Sequence, residues 1–92
     1  MTDSHRPRKL VALRVPRLEV ERAEMSVCLH LARRGDHVTP SDRVIEIVAG
    51  PAVVELSAPV TGRVVRFLVE EDEPIQPGQP LVIFHRKITE EA

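Results

Sequence analysis

The stretch RVIEIVAGPAVVELS, residues 43–57, predicts a β-hairpin with a two-residue turn at Gly50 and Pro51. In that register one face of the hairpin carries the large aliphatic residues, which are Ile45, Ile47, Val54 and Leu56. Glu46 and Glu55 oppose each other on the other face, which must be solvated because like charges repel. A shift of one residue would move a carboxylate into the core, so the alternation specifies this register.

The turn dipeptide suits a tight hairpin. Gly50 lacks a Cβ and accepts the positive φ that the first position of a type II′ turn requires. Pro51 has a φ close to the value needed at the second position, and it lacks an N–H group that the turn would leave unused. The dipeptide is therefore a competent and stiff turn.

Strand-like segments separated by turn residues recur along the whole chain, which favours an all-β sandwich or barrel. The sequence also contains a weak internal repeat, in which the second half follows the first after 37 residues. The apolar and proline positions that coincide are Val27 with Val64, Leu31 with Leu68, Val38 with Ile75, Pro40 with Pro77, Val44 with Leu81, and Ile45 with Val82. Two similar halves predict quasi-twofold symmetry, with the hairpin turn between them.

The core must consist mainly of Val, Ile and Leu, because the aromatic residues are limited to Phe67 and Phe84. These aliphatic residues favour strands. The residues that we predict to be core are Ile45, Ile47, Val54, Leu56, Val64 and Leu81.

The segment MSVCLHLA, residues 25–32, alternates between apolar and polar residues. We expect Val27, Leu29 and Leu31 to share the buried face of a strand. Cys28 would then point the other way, with no base beside it, and we expect it to be structural or inert.

The composition excludes several functional classes. A formal net charge of −1 gives no long-range field for nucleic acid, and no run of about 18 apolar residues is present to span a membrane. A single cysteine excludes an internal disulfide and fits the cytoplasm. The four histidines, for which we expect surface positions without metal spacing, are His5, His30, His37 and His85. No catalytic triad, phosphate loop or paired-acid motif is visible, so we expect no enzyme.

The chain is short enough for one domain, which we expect to be monomeric. We predict a flexible tail over residues 1–9, the domain over residues 10–87 and a second tail over residues 88–92. The basic residues 5–9 are interpreted as part of the first tail, although they could bind an anionic partner. The acidic residues 70–73 are interpreted as a solvated turn, with a partner contact as the alternative.

Four fragments in succession resemble the lipoyl/biotinyl carrier domain family: VPRLEV, GDHVTPSDRVIEI, VVELSAPVTGRVV and EPIQPGQPLVIF. They cover roughly residues 10–85. The resemblance implies a flattened barrel of two four-stranded antiparallel sheets with quasi-twofold symmetry. It also implies an exposed hairpin tip and both chain ends at the far pole.

In lipoyl domains the hairpin tip usually reads Asp-Lys-Ala, and the lysine carries the cofactor. Alignment through AVVELSAPVTG places Gly50, Pro51 and Ala52 at those three positions. Proline has no side-chain amine, so the resemblance implies that neither lipoate nor biotin is attached at this tip. The two lysines of the chain, Lys9 and Lys87, are expected at the opposite pole.

The favoured interpretation is a degenerate domain of this family that acts as a non-catalytic structural or protein-interaction module. Its partner would be another protein of a multienzyme complex. The docking surface that we predict consists of Glu46, Val48, Val53 and Glu55, although the two valines could simply reflect β propensity. One alternative is an acyl or CO₂ carrier domain of a 2-oxo acid dehydrogenase or biotin-dependent carboxylase system. Another is a barrel-sandwich module like those of membrane-fusion adaptors.

Overall fold

The computed structural model describes residues 9–18 and 24–88, and this part of the chain contains eight β-strands and no helix. The strands are β1 (Leu10–Arg14), β2 (Met25–His30), β3 (His37–Val38), β4 (Arg43–Ala49), β5 (Ala52–Ser57), β6 (Gly62–Phe67), β7 (Pro74–Ile75) and β8 (Pro80–Arg86). Residues 1–8 and 89–92, which make up most of the two predicted tails and include His5, lie outside the described residues.

The strands form two open four-stranded sheets in which every pairing is antiparallel. One sheet has the order β1-β8-β6-β3 and the other the order β5-β4-β2-β7. If β1, β2, β3 and β4 are exchanged with β5, β6, β7 and β8 respectively, the order of one sheet becomes the order of the other. The predicted all-β fold with quasi-twofold symmetry is therefore confirmed.

The 37-residue repeat is also visible in individual hydrogen bonds. The Leu31 amide donates to the carbonyl oxygen of Val44 at 2.9 Å, and the Leu68 amide donates to that of Leu81 at 2.8 Å. Each residue of the second pair lies 37 positions after its counterpart in the first. The repeat seen in the sequence thus corresponds to equivalent backbone geometry in the two halves.

The predicted hairpin register is confirmed at every pair. Ile47 lies opposite Val54 and Glu46 lies opposite Glu55. Gly50 has a φ of 59°, as the first position of a type II′ turn requires.

The core fills the space between the two sheets, and its largest fully buried side chain is Phe84. Of the six predicted core residues, four are at most 1% exposed: Ile45, Ile47, Val64 and Leu81. Val54 and Leu56 are half-buried and pack against this core. They retain some exposure because β5 is an edge strand, with β4 as its neighbour on one side only.

The prediction of which β2 side chains face the core is wrong beyond Val27. Val27 pairs with Ile47, but the next paired residue is Leu29, which lies opposite Glu46, so Cys28 is the additional residue of a β-bulge. A bulge shifts the side-chain alternation by one position. Leu29 is consequently 44% exposed.

The shift continues beyond the end of β2, because Leu31 is 39% exposed. An equivalent irregularity occurs in β6, where pairing with β8 passes from Val64 to Arg66 and skips Val65. Since Val65 follows Cys28 by 37 residues, the bulge is a repeated feature of the fold.

Truncation of Ile47 to alanine should lower the free energy of unfolding by about 2–5 kcal/mol, because it leaves a cavity in a packed core. Val53→Ala on the outer face should have a much smaller effect, since Val53 is 61% exposed. Urea denaturation of both variants measures the difference. Equal destabilisation by the two substitutions would contradict the assignment of the hairpin faces.

Gly62→Ala should also destabilise the domain. A Cβ at this buried position would collide with the backbone carbonyl oxygen of His85 on β8. Moving one backbone away from the other should cost about 1–3 kcal/mol, the usual range for overpacking. Thr61→Ala, at the exposed neighbouring position, is the control and should change the unfolding midpoint little. A Gly62→Ala variant as stable as the control would disprove the close approach of β6 and β8.

Candidate functional site

The apex of the β4–β5 hairpin is exposed and tied to the adjacent strand. Gly50 and Pro51 are both exposed, whereas Ala49 beneath them is fully buried. The Gly50 amide donates to the carbonyl oxygen of Glu24, which precedes β2, at 3.1 Å. The turn is therefore held in place by β2 as well as by its own strands.

The outer face of the hairpin carries the four residues predicted as a docking surface. They are Glu46, Val48, Val53 and Glu55. Val53 is the most exposed of the large apolar residues that the structure describes, since it lies on the edge strand. Val48 was expected to be equally exposed, but it is half-buried because Ser26 on β2 lies beside it.

The acidic pair on this face is partly compensated. Arg43 forms a salt bridge with Glu55, with 3.3 Å between Nη1 and Oε1. Both side chains are substantially exposed, so the bridge adds at most about 1 kcal/mol to stability. Its main effect is to reduce the repulsion between Glu55 and Glu46 across the strands.

Cys28 lies on the same sheet, beside Glu46. A hydrogen bond with the Glu46 carboxylate raises the pKa of the Cys28 thiol, and desolvation and the nearby acids Asp72 and Glu71 add to the effect. A raised pKa keeps the sulfur protonated at neutral pH and weakens it as a nucleophile. This agrees with the expected inert role.

His30 is not the surface histidine that the sequence predicted. Its ring stacks on Phe67 with the centroids 3.9 Å apart, and its Nε2–H donates to the carbonyl oxygen of Val69 at 3.0 Å. The repeat could have revealed this position, because His30 is the counterpart of Phe67. A histidine held in this way is part of the packing, and no cluster of three metal-ligating side chains occurs in the described chain.

The two lysines lie at the pole opposite the apex. Gly50 shares a groove with Gln76 and Gln79, which are next to the start of β8, whereas Lys9 and Lys87 flank the other end of β8. A seven-residue strand spans about 20 Å, so neither amine is near the apex. The predicted position of the lysines is thus confirmed.

The side chains at the apex do not fit covalent attachment of biotin or lipoate. Either group would be joined to the protein through an amide, which requires a primary amine. Gly50, Pro51 and Ala52 supply none.

The comparisons with known proteins agree with the fold. Residues 11–84 match the biotin/lipoyl family, which is described as "Biotin-requiring enzyme". The match covers most of the chain, and the chain belongs to this family. Its domains are carriers that are not themselves catalytic. A sequence comparison with curated proteins found no match.

Among solved structures, the chain is similar to a single-chain, multi-domain long-chain acyl-CoA carboxylase, with a TM-score of 0.72 and 25% sequence identity. The alignment covers 88% of this chain but only 7% of the carboxylase. The similarity therefore concerns one small domain of a much larger protein. No helix within the described residues is long and apolar enough to cross a membrane.

Proposed function

We propose that this chain is a biotin/lipoyl domain that has lost its attachment residue, with Pro51 at the position of the lysine. Gly50 and Ala52 would occupy the flanking positions. The domain would act as a non-catalytic structural or protein-interaction module in the cytoplasm. The observation that carries the proposal is the exposed hairpin apex of a carrier fold whose turn residues offer no amine.

The conformation of the apex supports this proposal. Gly50 uses a positive φ that a residue with a side chain adopts reluctantly, and the proline ring restricts Pro51. The hydrogen bond from the Gly50 backbone N–H to the carbonyl oxygen of Glu24 further restrains the turn. A swinging cofactor arm needs a long, mobile side chain, and neither Gly50 nor Pro51 supplies one.

The outer face of the hairpin is the proposed contact surface for another protein of a multienzyme complex. Exposed Val53 and half-buried Val48 provide an apolar centre, and Glu46 and Glu55 provide a charged border. Protein interfaces commonly combine an apolar centre with a polar rim. The similarity to one domain of a multi-domain carboxylase also supports a role inside a larger assembly.

The similarity to a carboxylase also favours a second candidate, a working CO₂ or acyl carrier modified at another residue. Lys87 is the residue to test. Its backbone amide donates to the carbonyl oxygen of Thr61 at 2.8 Å, as the Gly50 amide donates to that of Glu24 at 3.1 Å. Lys87 follows Gly50 by 37 residues, and Thr61 follows Glu24 by the same number. Lys87 therefore occupies the position in the second half that corresponds to Gly50.

Incubation with biotin ligase or lipoate ligase, the matching acyl donor and ATP separates the two candidates. The proposal predicts an unmodified wild-type chain, because neither ligase finds an amine at the apex. Pro51→Lys and the double variant Gly50→Asp/Pro51→Lys restore the amine. Intact mass and peptide mapping measure the products, and thermal unfolding verifies that each variant is folded.

Acylation of a folded variant at position 51 would show that the apex is a carrier site lacking only its amine. A folded variant that stays unmodified would show that the surface recognised by the ligase has also diverged from that of a carrier domain. Acylation of the wild-type chain, abolished by Lys87→Arg, would contradict the proposal and support the carrier candidate. We expect Pro51→Lys to lower stability by no more than about 1 kcal/mol, through greater freedom of the unfolded chain.

A further inference from the structure

A basic groove lies at the pole where the described chain begins and ends. It has a volume of about 620 Å³ and runs over the end of the β1-β8-β6-β3 sheet. We define the basic groove by its six nitrogen-bearing side chains, which are Lys9, His37, Arg63, His85, Arg86 and Lys87. No aspartate or glutamate is among the described residues that line it.

Three of these side chains form a row across adjacent strands. His37 on β3 lies opposite Arg63 on β6, and Arg63 lies opposite His85 on β8. Arg63 and His37 are exposed, while His85 is half-buried. Because neighbouring strands are about 4.8 Å apart, the row extends over about 10 Å.

Three cations of the basic groove form no salt bridge within the described part of the protein. Within residues 9–18 and 24–88, no carboxylate forms a salt bridge with Lys9, Arg63 or Lys87. The domain as a whole has a net charge of −1, so these cations are concentrated locally rather than spread over a basic surface. Such a concentration attracts anionic groups.

The fold does not require basic residues at these positions. In the quasi-symmetric half, Ser26 is the counterpart of Arg63, and Val48 is the counterpart of His85. The same backbone therefore accepts a small polar residue and an apolar residue there. The packing of the fold therefore does not account for the basic side chains in this row.

We propose that the basic groove binds an acidic segment of a partner protein in an extended conformation. The side-chain N–H groups of His37, Arg63 and His85 lie in a row rather than converging on one point, which suits carboxylates carried by successive residues better than one small anion. The groove also includes the exposed apolar side chain of Ile88, which can contact the segment between its charges. This site lies at the pole opposite the apex, so the proposal does not depend on whether the apex itself carries a cofactor.

The test is a fluorescence-anisotropy titration of the full chain with a labelled peptide that has three glutamates alternating with serines. A matched peptide with glutamine in place of glutamate is the control probe. We expect binding of the acidic peptide alone. Arg63→Gln/Lys87→Gln should weaken it about tenfold, because two charge contacts are lost.

The matched control variant is Arg17→Gln/Arg34→Gln, which has the same net charge but changes two exposed residues outside the groove. It should weaken binding less than about twofold. Equal weakening by both double variants would overturn the proposal, because the attraction would then depend on net charge alone. Should the groove double variant unfold, Lys87→Gln alone repeats the comparison at an exposed residue beyond β8.

Two further measurements distinguish other occupants. Inorganic phosphate that displaces the peptide at a similar concentration would show that the groove takes small anions, which overturns the proposal. Sedimentation that reveals a dimer abolished by Arg63→Gln/Lys87→Gln, without peptide binding, would identify a second copy as the occupant instead. The proposal is supported if the protein is a monomer and the labelled peptide is displaced by unlabelled acidic peptide but not by phosphate.

Discussion

The position of Ile47 between two neighbouring strands determines the rest of the structure. Ile47 is fully buried, and it lies opposite Val54 on one side and Val27 on the other. A slip of one residue in either pairing would turn Glu46 toward the core, where an unpaired carboxylate is costly. This register places the Gly50-Pro51 turn at the end of the molecule and directs the acidic residues outward.

Much of the fold was predictable because it follows from alternation and repetition. The face of Ile45, Ile47, Val54 and Leu56 is unambiguous, and the 37-residue repeat indicates the symmetry of the two sheets. The buried face of β2 was harder to predict, because the alternation of Val27, Leu29 and Leu31 looks regular in the sequence. The backbone nevertheless contains a bulge at Cys28. A bulge changes which residues face inward without any change in composition.

The site was predictable to different degrees. The exposed apex followed from turn chemistry, and the distance of both lysines from it followed from the family resemblance, which implies that both chain ends lie at the far pole. The partial burial of Val48 depends on the flanking strand β2, which a hairpin considered alone does not show. The basic groove assembles His37, Arg63 and His85 from three strands, and their pairing depends on tertiary structure. The two poles therefore share one backbone pattern but present different chemistry.

We infer that this protein uses a carrier fold without a carried group. Mass spectrometry of the protein purified from its native host tests this inference, since it reports modification by the ligases that the protein meets there. We expect every lysine-containing peptide of this chain to have its unmodified mass, with no biotinyl or lipoyl increment. A stoichiometric biotinyl or lipoyl increment, mapped to Lys87 or Lys9, would contradict it.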